Sequence, residues 1–378
     1  MAANLISPAV PPGDLGHRLQ LRRGEQWLYR VKGDPYAAAL CGHDDVAETY
    51  QRIREQGPLF QSRDGTWVTG RYDDAAALLA HDGVEWQPVA APHRVFTFAD
   101  LVPGGDWAAF ERRAAPLLGT AAVRAATPRL AALCARACGA TGSRFDLVTD
   151  VAERLPVQLL ADLYALPPAQ HERLARGVAE SAAVLDSMVC PQRLEVSRQA
   201  LAAVADLRQL FDEVAGGGRH AFLQPFLAVA GARLAAGLIA RSVHLLVDDP
   251  HLHRRVAADV TAADEVVTRA LRRDAPVRLL PGTAVADLER AGTRVPAGSD
   301  LVLVLAAANL DPDSAGTPLL PAGPYRLLLP IARELAGAAV SALAAAHPAL
   351  SSDGPVVTAA RAPVTQRLLR CPVRSGPV

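Results

Sequence analysis

The sequence has no excess of either charge, because its 39 lysine and arginine residues equal its 39 aspartate and glutamate residues. A protein that attracts phosphates needs a basic surplus, so we expect no nucleic-acid partner. Aromatic residues are also scarce, at 5% of the 378 residues. Half of the residues are nevertheless hydrophobic, and the strong helix formers Ala and Leu dominate long stretches. The composition therefore predicts a mainly α protein with a substantial core.

The sequence has no cysteine pattern that indicates a disulfide framework or a metal site. Its five cysteines are odd in number and scattered along the chain, at Cys41, Cys134, Cys138, Cys190 and Cys371. Cys134 and Cys138 share one helix face, but structural zinc requires four ligands and no others stand nearby in the sequence. His251 and His253 follow a helix start and are interpreted as solvated side chains. We therefore expect no bound metal.

Long apolar runs are missing too, since no segment has about 20 uninterrupted apolar residues. The most apolar helix, Phe222 to Val247, is broken by Arg233 and Arg241. The start of the chain, MAANLISPAVPPGD, has neither the charged nor the apolar region of a signal peptide. We therefore expect a cytoplasmic protein with no membrane partner.

What the sequence does have is a succession of helical segments. Apolar residues recur at helical spacing from Asp106 to Leu166, which predicts several packed helices. The same spacing predicts further helices at the segment that follows Asp45 up to Gln56, Leu194 to Val214, the apolar stretch that ends at Val247, the segment from Pro250, Ala262 to Arg273, and Leu328 to Ala346.

The predicted β portion is small. Two short strands are expected around the turn Asp64-Gly65, and strand-like stretches occur at Thr283 to Leu288 and Leu301 to Leu305. Three prolines lie in the first twenty residues, so residues 1–18 are predicted to be a flexible arm. No linker rich in Gly, Ser or Pro divides the rest, and residues 19–378 are predicted to form a single domain. The fold class is therefore mainly α with a small β portion.

The second half contains three segments in an informative order. A long apolar helix carries Ala230-Gly231 at its centre, a helix then ends in RRDAPV, and RVPAGSDLVLVLAAANLDPD follows. This order resembles the bacterial cytochromes P-450, in which the oxygen-groove helix, the ExxR helix and a PAG-x-x-V stretch with AANRDP succeed one another. The segment LPIARELAGAAVSAL resembles the helix after the family's haem cysteine, with Ala332 and Arg333 as anchors. The resemblance implies a cytochrome P-450-like fold.

The haem-binding cysteine of that family is replaced. Counting back from Arg333 places Arg326 at the cysteine position, and a guanidinium has no lone pair to donate to iron. A cation in that slot is expected to be desolvated at a cost of several kcal/mol. Misalignment is the alternative explanation, but no cysteine lies between Cys190 and Cys371, and only PVRSGPV follows Cys371.

Other haem-linked positions differ from the family as well. In the oxygen-groove pattern Ala-Gly-x-acid-Thr, Arg233 and Leu234 replace the acid and the hydroxyl. Gly282 and Ala108 stand where the family has residues that contact the haem carboxylates, and Arg269 replaces the glutamate of the ExxR pair. The positions with replaced haem-linked residues are therefore Arg326, Pro324, Gly282, Ala108, Arg233, Leu234 and Arg269. The resemblance implies a protein with no haem, no other cofactor and no catalytic residues.

The N-terminal third resembles one subgroup of the family. LQLRRGEQWLYRVKGDPYAAALCGHDD, followed by YQRIREQGPLFQSRDGTWV, is similar to the auxiliary proteins of bacterial deoxysugar glycosyltransferases. These cysteine-free homologues bind transferases that attach deoxysugars to macrolide or anthracycline-type aglycones, and they raise the activity or stability of the transferase. The resemblance implies a glycosyltransferase partner in a heteromeric complex.

An interface with that partner is predicted in the same stretch, because aromatic residues are concentrated there. The residues predicted to bind the partner are Leu19, Trp27, Tyr29, Asp34, Pro35, Tyr36 and His43. The alternative is that the rings fix the N-terminal segment onto the body of the fold. Asp44 and Asp45, which follow His43, are interpreted as caps of the next helix rather than as catalytic groups.

Two other functions are kept open. The emptied haem pocket, with Leu234 and Leu279 in an apolar lining, is a candidate site for a small molecule such as the aglycone. A haem enzyme with a different iron ligand is the second, and it predicts a Soret band in the purified protein. The chain is not predicted to be a transferase itself, because it lacks a Gly-rich loop between a strand and a helix and a βαβ alternation.

Overall fold

The computed structural model describes residues 12–42, 45–86, 96–214, 220–314, 316–359 and 361–376. The predictions for His43, for Asp44 and for residues 1–11 of the arm lie outside the described residues. Within the described part of the chain, sixteen α-helices and twelve short strands are present. The predicted fold class, mainly α with a small β portion, is thereby confirmed.

Helices form most of the structure. The α-helices are α1 Pro12–Val31, α2 Pro35–Cys41, α3 Val46–Glu55, α4 Tyr72–Leu79, α5 Trp107–Leu118, α6 Thr120–Gly139, α7 Arg154–Leu163, α8 His171–Glu180, α9 Val184–Ser187, α10 Leu194–Val214, α11 Gln224–Phe226, α12 Ala232–Asp248, α13 Pro250–Ala258, α14 Ala262–Arg273, α15 Leu305–Asn309 and α16 Pro324–Ala346. A 3₁₀ turn at Ala221–Leu223, α11 and a π turn at Leu227–Gly231 lead without a break into α12.

The strands form four small sheets. They are β1 Phe60–Gln61, β2 Trp67–Thr69, β3 Val84–Glu85, β4 Arg144–Asp146, β5 Leu279–Ala284, β6 Leu288–Arg290, β7 Thr293–Val295, β8 Asp300–Val304, β9 Leu350–Ser352, β10 Val357–Thr358, β11 Leu368–Arg370 and β12 Pro372–Ser375. The largest sheet has the order β1-β2-β8-β5-β3, with β2 and β8 parallel and the other pairs antiparallel. The smaller sheets are β4-β12-β9, β6-β7 and β10-β11.

Three predicted boundaries are wrong. Helix α1 begins at Pro12, so residues 12–18 are helical and do not belong to a flexible arm. Helix α16 begins at Pro324, four residues before the predicted Leu328, because proline suits the first position of a helix, where its missing N–H costs nothing. Leu305 starts α15 and does not end the preceding strand.

Aspartates fix the starts of the helices near the N-terminus. Asp45 Oδ1 accepts a hydrogen bond from Glu48 N at 3.0 Å and caps α3, which confirms its predicted capping role. Asp34 caps α2 through Ala37 N at 3.0 Å. The second oxygen of Asp34 accepts hydrogen bonds from Ser62 Oγ at 2.8 Å and Arg63 N at 2.7 Å, so this buried carboxylate joins α2 to the β1–β2 turn.

The core is built around α12 and α16, which pack on each other, and α16 also packs on α6. Among the described residues, two helices are long and apolar enough to cross a membrane by length and composition alone, Ala221–Asp248 and Pro324–Ala346. The apolar windows of these helices are 78% and 56% buried inside the fold, as is typical of the core helices of a large domain.

A buried carboxylate ties α9 to the segment before β11. Asp186 Oδ1 accepts hydrogen bonds from Val364 N at 2.8 Å and Thr365 N at 3.0 Å, and Oδ2 accepts one from Thr365 Oγ1 at 2.8 Å. Burial raises the pKa of Asp186 from its ordinary value of 3.8 to about 6, although these hydrogen bonds oppose the shift. The folded protein therefore binds a proton at Asp186 more tightly than the unfolded chain does.

Asp186→Asn is expected to change the pH dependence of stability. Because the folded pKa is raised, the contribution of Asp186 is fully present below pH 3.8 and is lost as the pH rises to about 6. The free energy of unfolding of the native protein, minus that of Asp186→Asn, should thus fall by about 3 kcal/mol over this window. Urea unfolding of both proteins between pH 4 and 7 measures the difference, and a difference that stays constant with pH would contradict the assignment.

Candidate functional site

The residue at the cysteine position faces solvent. Arg326 lies in the first turn of α16 with its side chain 74% exposed, and its Nη2 lies 3.0 Å from Glu111 Oε1 of α5. Arg326 therefore does not fill the iron-binding slot, where a cation would have to be desolvated. The reason is the early start of α16, which turns Arg326 outward and its neighbour Tyr325 inward, where Tyr325 is fully buried.

An aromatic cluster fills the space beneath α5 and α12. Its members are Phe98, Trp107, Phe110, Phe226 and Tyr325. Tyr325 meets Phe98 edge to face, with ring centroids 5.2 Å apart, and Phe226 meets Phe110 in the same way at 5.1 Å. Burial raises the pKa of Tyr325, and its hydroxyl has no hydrogen-bond partner among the described residues. Edge-to-face rings of this kind stabilise a packed interior.

Helices α12 and α16 touch where a haem would have to lie. The family's iron binds the cysteine on one side and oxygen at the groove helix on the other, so a haem needs a slot between these two helices. Here a Cβ built on Gly231 would lie only 3.3 Å from Cδ2 of Leu328. Leu234 is buried beside this contact, and buried Arg233 forms an ion pair with Glu153, Nη1 to Oε1 at 3.0 Å. The acid of the oxygen groove is thus replaced by a structural cation.

Of the two positions that contact haem carboxylates in the family, Gly282 is tightly packed and Ala108 is exposed. A Cβ built on Gly282 would lie 2.8 Å from the ring of Trp86, so an arginine has no room there. Ala108 is exposed on the outer face of α5. Pro324 is buried at the start of α16. Arg269, which replaces the glutamate of the ExxR pair, is half-exposed. Its Nη1 lies 3.5 Å from Asp249 Oδ2, which is a long ion pair.

The residues present do not fit a haem. Aromatic rings and the contact between Gly231 and Leu328 occupy the volume, and the cysteine position points to solvent. Leu234 and Leu279, predicted to line an emptied haem pocket, are both buried in this packed interior. Burial of both side chains favours a packing role over an aglycone site at these two leucines.

No alternative metal centre emerges from the described residues, which contain no group of three or more His, Cys, Asp or Glu side chains that could hold an ion. Cys134 and Cys138 lie buried in α6, and burial raises the pKa of each thiol to about 12. A thiol that holds its proton this tightly is a poor metal ligand.

Arg326→Cys is expected to leave the protein free of haem. The new thiol would project to solvent from the first turn of α16, as Arg326 does, while Tyr325 still points inward. The measurement is the absorption spectrum of the variant after expression with added haem precursor. A Soret band with thiolate character would show that the first turn of α16 can rotate and point residue 326 into the fold. That result would contradict the outward orientation of this position.

The residues predicted to bind a partner fall into two groups. Leu19, Asp34, Pro35 and Tyr36 are buried inside the fold, so their side chains are not available to a partner, and that part of the prediction is wrong. Their burial agrees with the alternative that this stretch fixes the N-terminal segment onto the body of the fold. Tyr29 is half-buried.

Trp27, in contrast, is 56% exposed and belongs to a larger exposed apolar stripe on α1. The stripe consists of Leu21, Trp27, Leu28 and Val31, which lie within about 120° of the helix circumference. Sequence reasoning missed three of these four residues. Their spacing at i, i+6, i+7 and i+10 could have revealed them, had the outward face of α1 been distinguished from the inward one.

Comparison with known proteins finds relatives that align along nearly the whole chain. No protein-family profile matches it. Protein AknT of Streptomyces galilaeus is 31% identical over 425 aligned residues, which cover 96% of each chain. The cytochrome P-450 family protein EryCII of Saccharopolyspora erythraea is 32% identical, over 95% of this chain and 97% of the relative. Protein TylM3 of Streptomyces fradiae is 32% identical, over 95% and 92%.

Solved structures agree with the predicted fold. A ligand-free cytochrome P-450 of Mycobacterium smegmatis superimposes with a TM-score of 0.74 at 21% identity, over 90% of this chain and 99% of the other. A mutant of P-450 EryK in complex with erythromycin B gives a TM-score of 0.72 at 20% identity, over 89% and 98%. The cytochrome P-450-like fold is thereby confirmed, and at these identities the likeness concerns the fold alone.

Proposed function

The chain belongs to the cytochrome P-450-like auxiliary proteins of deoxysugar glycosyltransferases, and from that premise we propose that it binds such a transferase and raises its activity or stability without chemistry of its own. The product of the transferase is a glycosylated macrolide or anthracycline-type antibiotic. The complex is heteromeric and works in the cytoplasm.

The observation that carries this proposal is the filled haem volume. A monooxygenase needs an iron and an oxygen site, whereas this interior holds Tyr325 and Phe98 in edge-to-face contact and Leu328 against Gly231. Such an interior stabilises the fold and offers no reacting group. What remains available for function is the surface.

A protein that only binds can still activate its partner. If the auxiliary protein binds the active conformation of the transferase more tightly than the inactive or unfolded states, binding shifts the population toward the active one. The gain is limited by the difference in affinity between the states.

The exposed stripe on α1 is the contact surface we propose. Exposed apolar side chains that adjoin one another mark interaction sites, and tryptophan is enriched among the residues that dominate binding energy. Trp27 and Val31, at 56% and 60% exposure, stand one helical turn apart. An amphipathic helix of the transferase could bury both.

Co-purification and activity together test the function. The transferase is purified with and without this protein, and both its yield of soluble enzyme and its specific activity are measured. We expect both to be higher with the auxiliary protein, and the two proteins to elute as one complex. Equal specific activity in the two preparations, with no joint elution, would refute the proposal.

Chemical cross-linking locates the contact. Lys32 is the only lysine in the chain and follows α1 directly, so an amine-reactive cross-linker has one side-chain target here. In the complex, Lys32 should link to the transferase in high yield. If the lysine stays unlinked while the complex is intact, the contact surface lies elsewhere.

A further inference from the structure

An apolar cleft of about 160 Å³ is present whose described lining includes no residue of α1. It lies between the α5–α6 turn, α7 and the α12–α16 pair. Its walls include Leu118, Ala126, Leu163, Ala235 and Ile331. None of the five rings of the aromatic cluster lines it, although Gly231 does.

Small side chains keep this cleft open. Ala122 and Ala126 of α6 face Ala232 and Ala235 of α12 across it. Protein interiors are otherwise packed as densely as organic crystals, and wall atoms beside an empty volume lose dispersion contacts. A dry apolar cavity of about 150 Å³ is large enough to take up a benzene-sized molecule. The cleft is therefore suited to one ring or one alkyl chain.

The charged groups at the cleft define the head group of a ligand. Among the described residues that line it, Arg129 and His220 are the only basic ones and none is acidic. Arg129 is exposed and forms no ion pair within the described part of the chain. A guanidinium and an imidazole both donate to a carboxylate, whereas a cationic head group would be repelled.

We propose that the cleft binds a straight-chain alkyl carboxylate, with its chain among the leucine and alanine side chains and its carboxylate at Arg129 and His220. The lining residues come from α5, α6, α7, α12 and α16, so the ligand would bridge the helices that form the core. This site is independent of the transferase, and its test uses the protein alone.

Octanoate is the probe, and calorimetric titration with thermal unfolding is the measurement. We expect saturable binding of octanoate with a rise in melting temperature, and a smaller rise with octylammonium at the same concentration. Arg129→Gln should weaken octanoate binding about two- to five-fold, the range of an exposed ion pair, and leave 1-octanol unaffected. Ala126→Leu, which fills the cleft from a half-buried wall position, should lower the affinity for both at least tenfold.

Two results would overturn the site. Absence of saturable octanoate binding would remove the ligand class. Unchanged octanoate affinity in both Ala126→Leu and Ala122→Leu, each folded as judged by its melting temperature, would place the acid elsewhere. A phospholipid has the same type of alkyl chain, so sedimentation with phosphatidylglycerol vesicles is a second experiment that distinguishes a lipid from a free acid. Free octanoate should bind while the vesicles fail to sediment the protein, and co-sedimentation would contradict the assignment to a free acid.

Discussion

Replacing Leu21 and Trp27 together by serine is expected to abolish most of the stimulation of the transferase. Both side chains belong to the exposed stripe on α1, and a buried tryptophan at an interface contributes about 2 kcal/mol or more, which corresponds to about a 30-fold loss of affinity. The measurement is transferase activity as a function of the concentration of the auxiliary protein. The midpoint of that titration should move by at least this factor.

Val260→Ser is the matched control, because Val260 is an exposed apolar residue outside α1. It should leave the midpoint unchanged. Both variants remove only exposed side chains, so their free energies of unfolding should stay within about 0.5 kcal/mol of the native value. If the double variant stimulates the transferase as well as the control does, α1 is not the contact surface.

Phe226→Ala is expected to lower the free energy of unfolding by about 3–5 kcal/mol, the range for truncation of a fully buried aromatic residue. Phe226 is the centre of the aromatic cluster, with ring centroids 5.1 Å from Phe110 and 5.6 Å from Trp107. Urea unfolding measures the loss. If the alanine variant gives too little protein, Phe226→Leu should show a smaller loss of the same sign.

Phe60→Ala serves as the control for this prediction. Phe60 is half-buried in the edge strand β1, so the same truncation should cost clearly less there. If Phe226→Ala lowers the free energy of unfolding no more than Phe60→Ala does, the aromatic cluster does not stabilise the core as expected.

The long regular helices were accessible from the sequence. Helices α10 and α14 were predicted at the residues where they occur, because apolar side chains recur on one face and polar ones on the other. The order of segments from Ala230 to Asp313 identified the fold for the same reason, since each segment has its own local pattern. The replaced haem residues could be named because each stands at a fixed position in such a pattern.

The direction in which those residues point was not accessible. Neighbouring residues of a helix differ by about 100° in direction, so a helix start that is wrong by four residues leaves the facing of Arg326 undetermined. Nor could the aromatic cluster be predicted. Phe98 and Trp107 lie near each other in the chain, but Phe226 and Tyr325 come from distant segments, and no periodicity joins them.

The packing of Trp86 against two glycines has a consequence for single substitutions toward a haem site. A Cβ on Gly282 would press on the ring of Trp86, and a Cβ on Gly323 would collide with its backbone. An arginine at 282 therefore clashes with Trp86 and with the carbonyl of Glu85, and a cysteine at 326 faces solvent unless α16 starts elsewhere. An arginine at 282 alone therefore costs stability, a cysteine at 326 alone gives no iron ligand inside the fold, and neither single substitution makes a haem site.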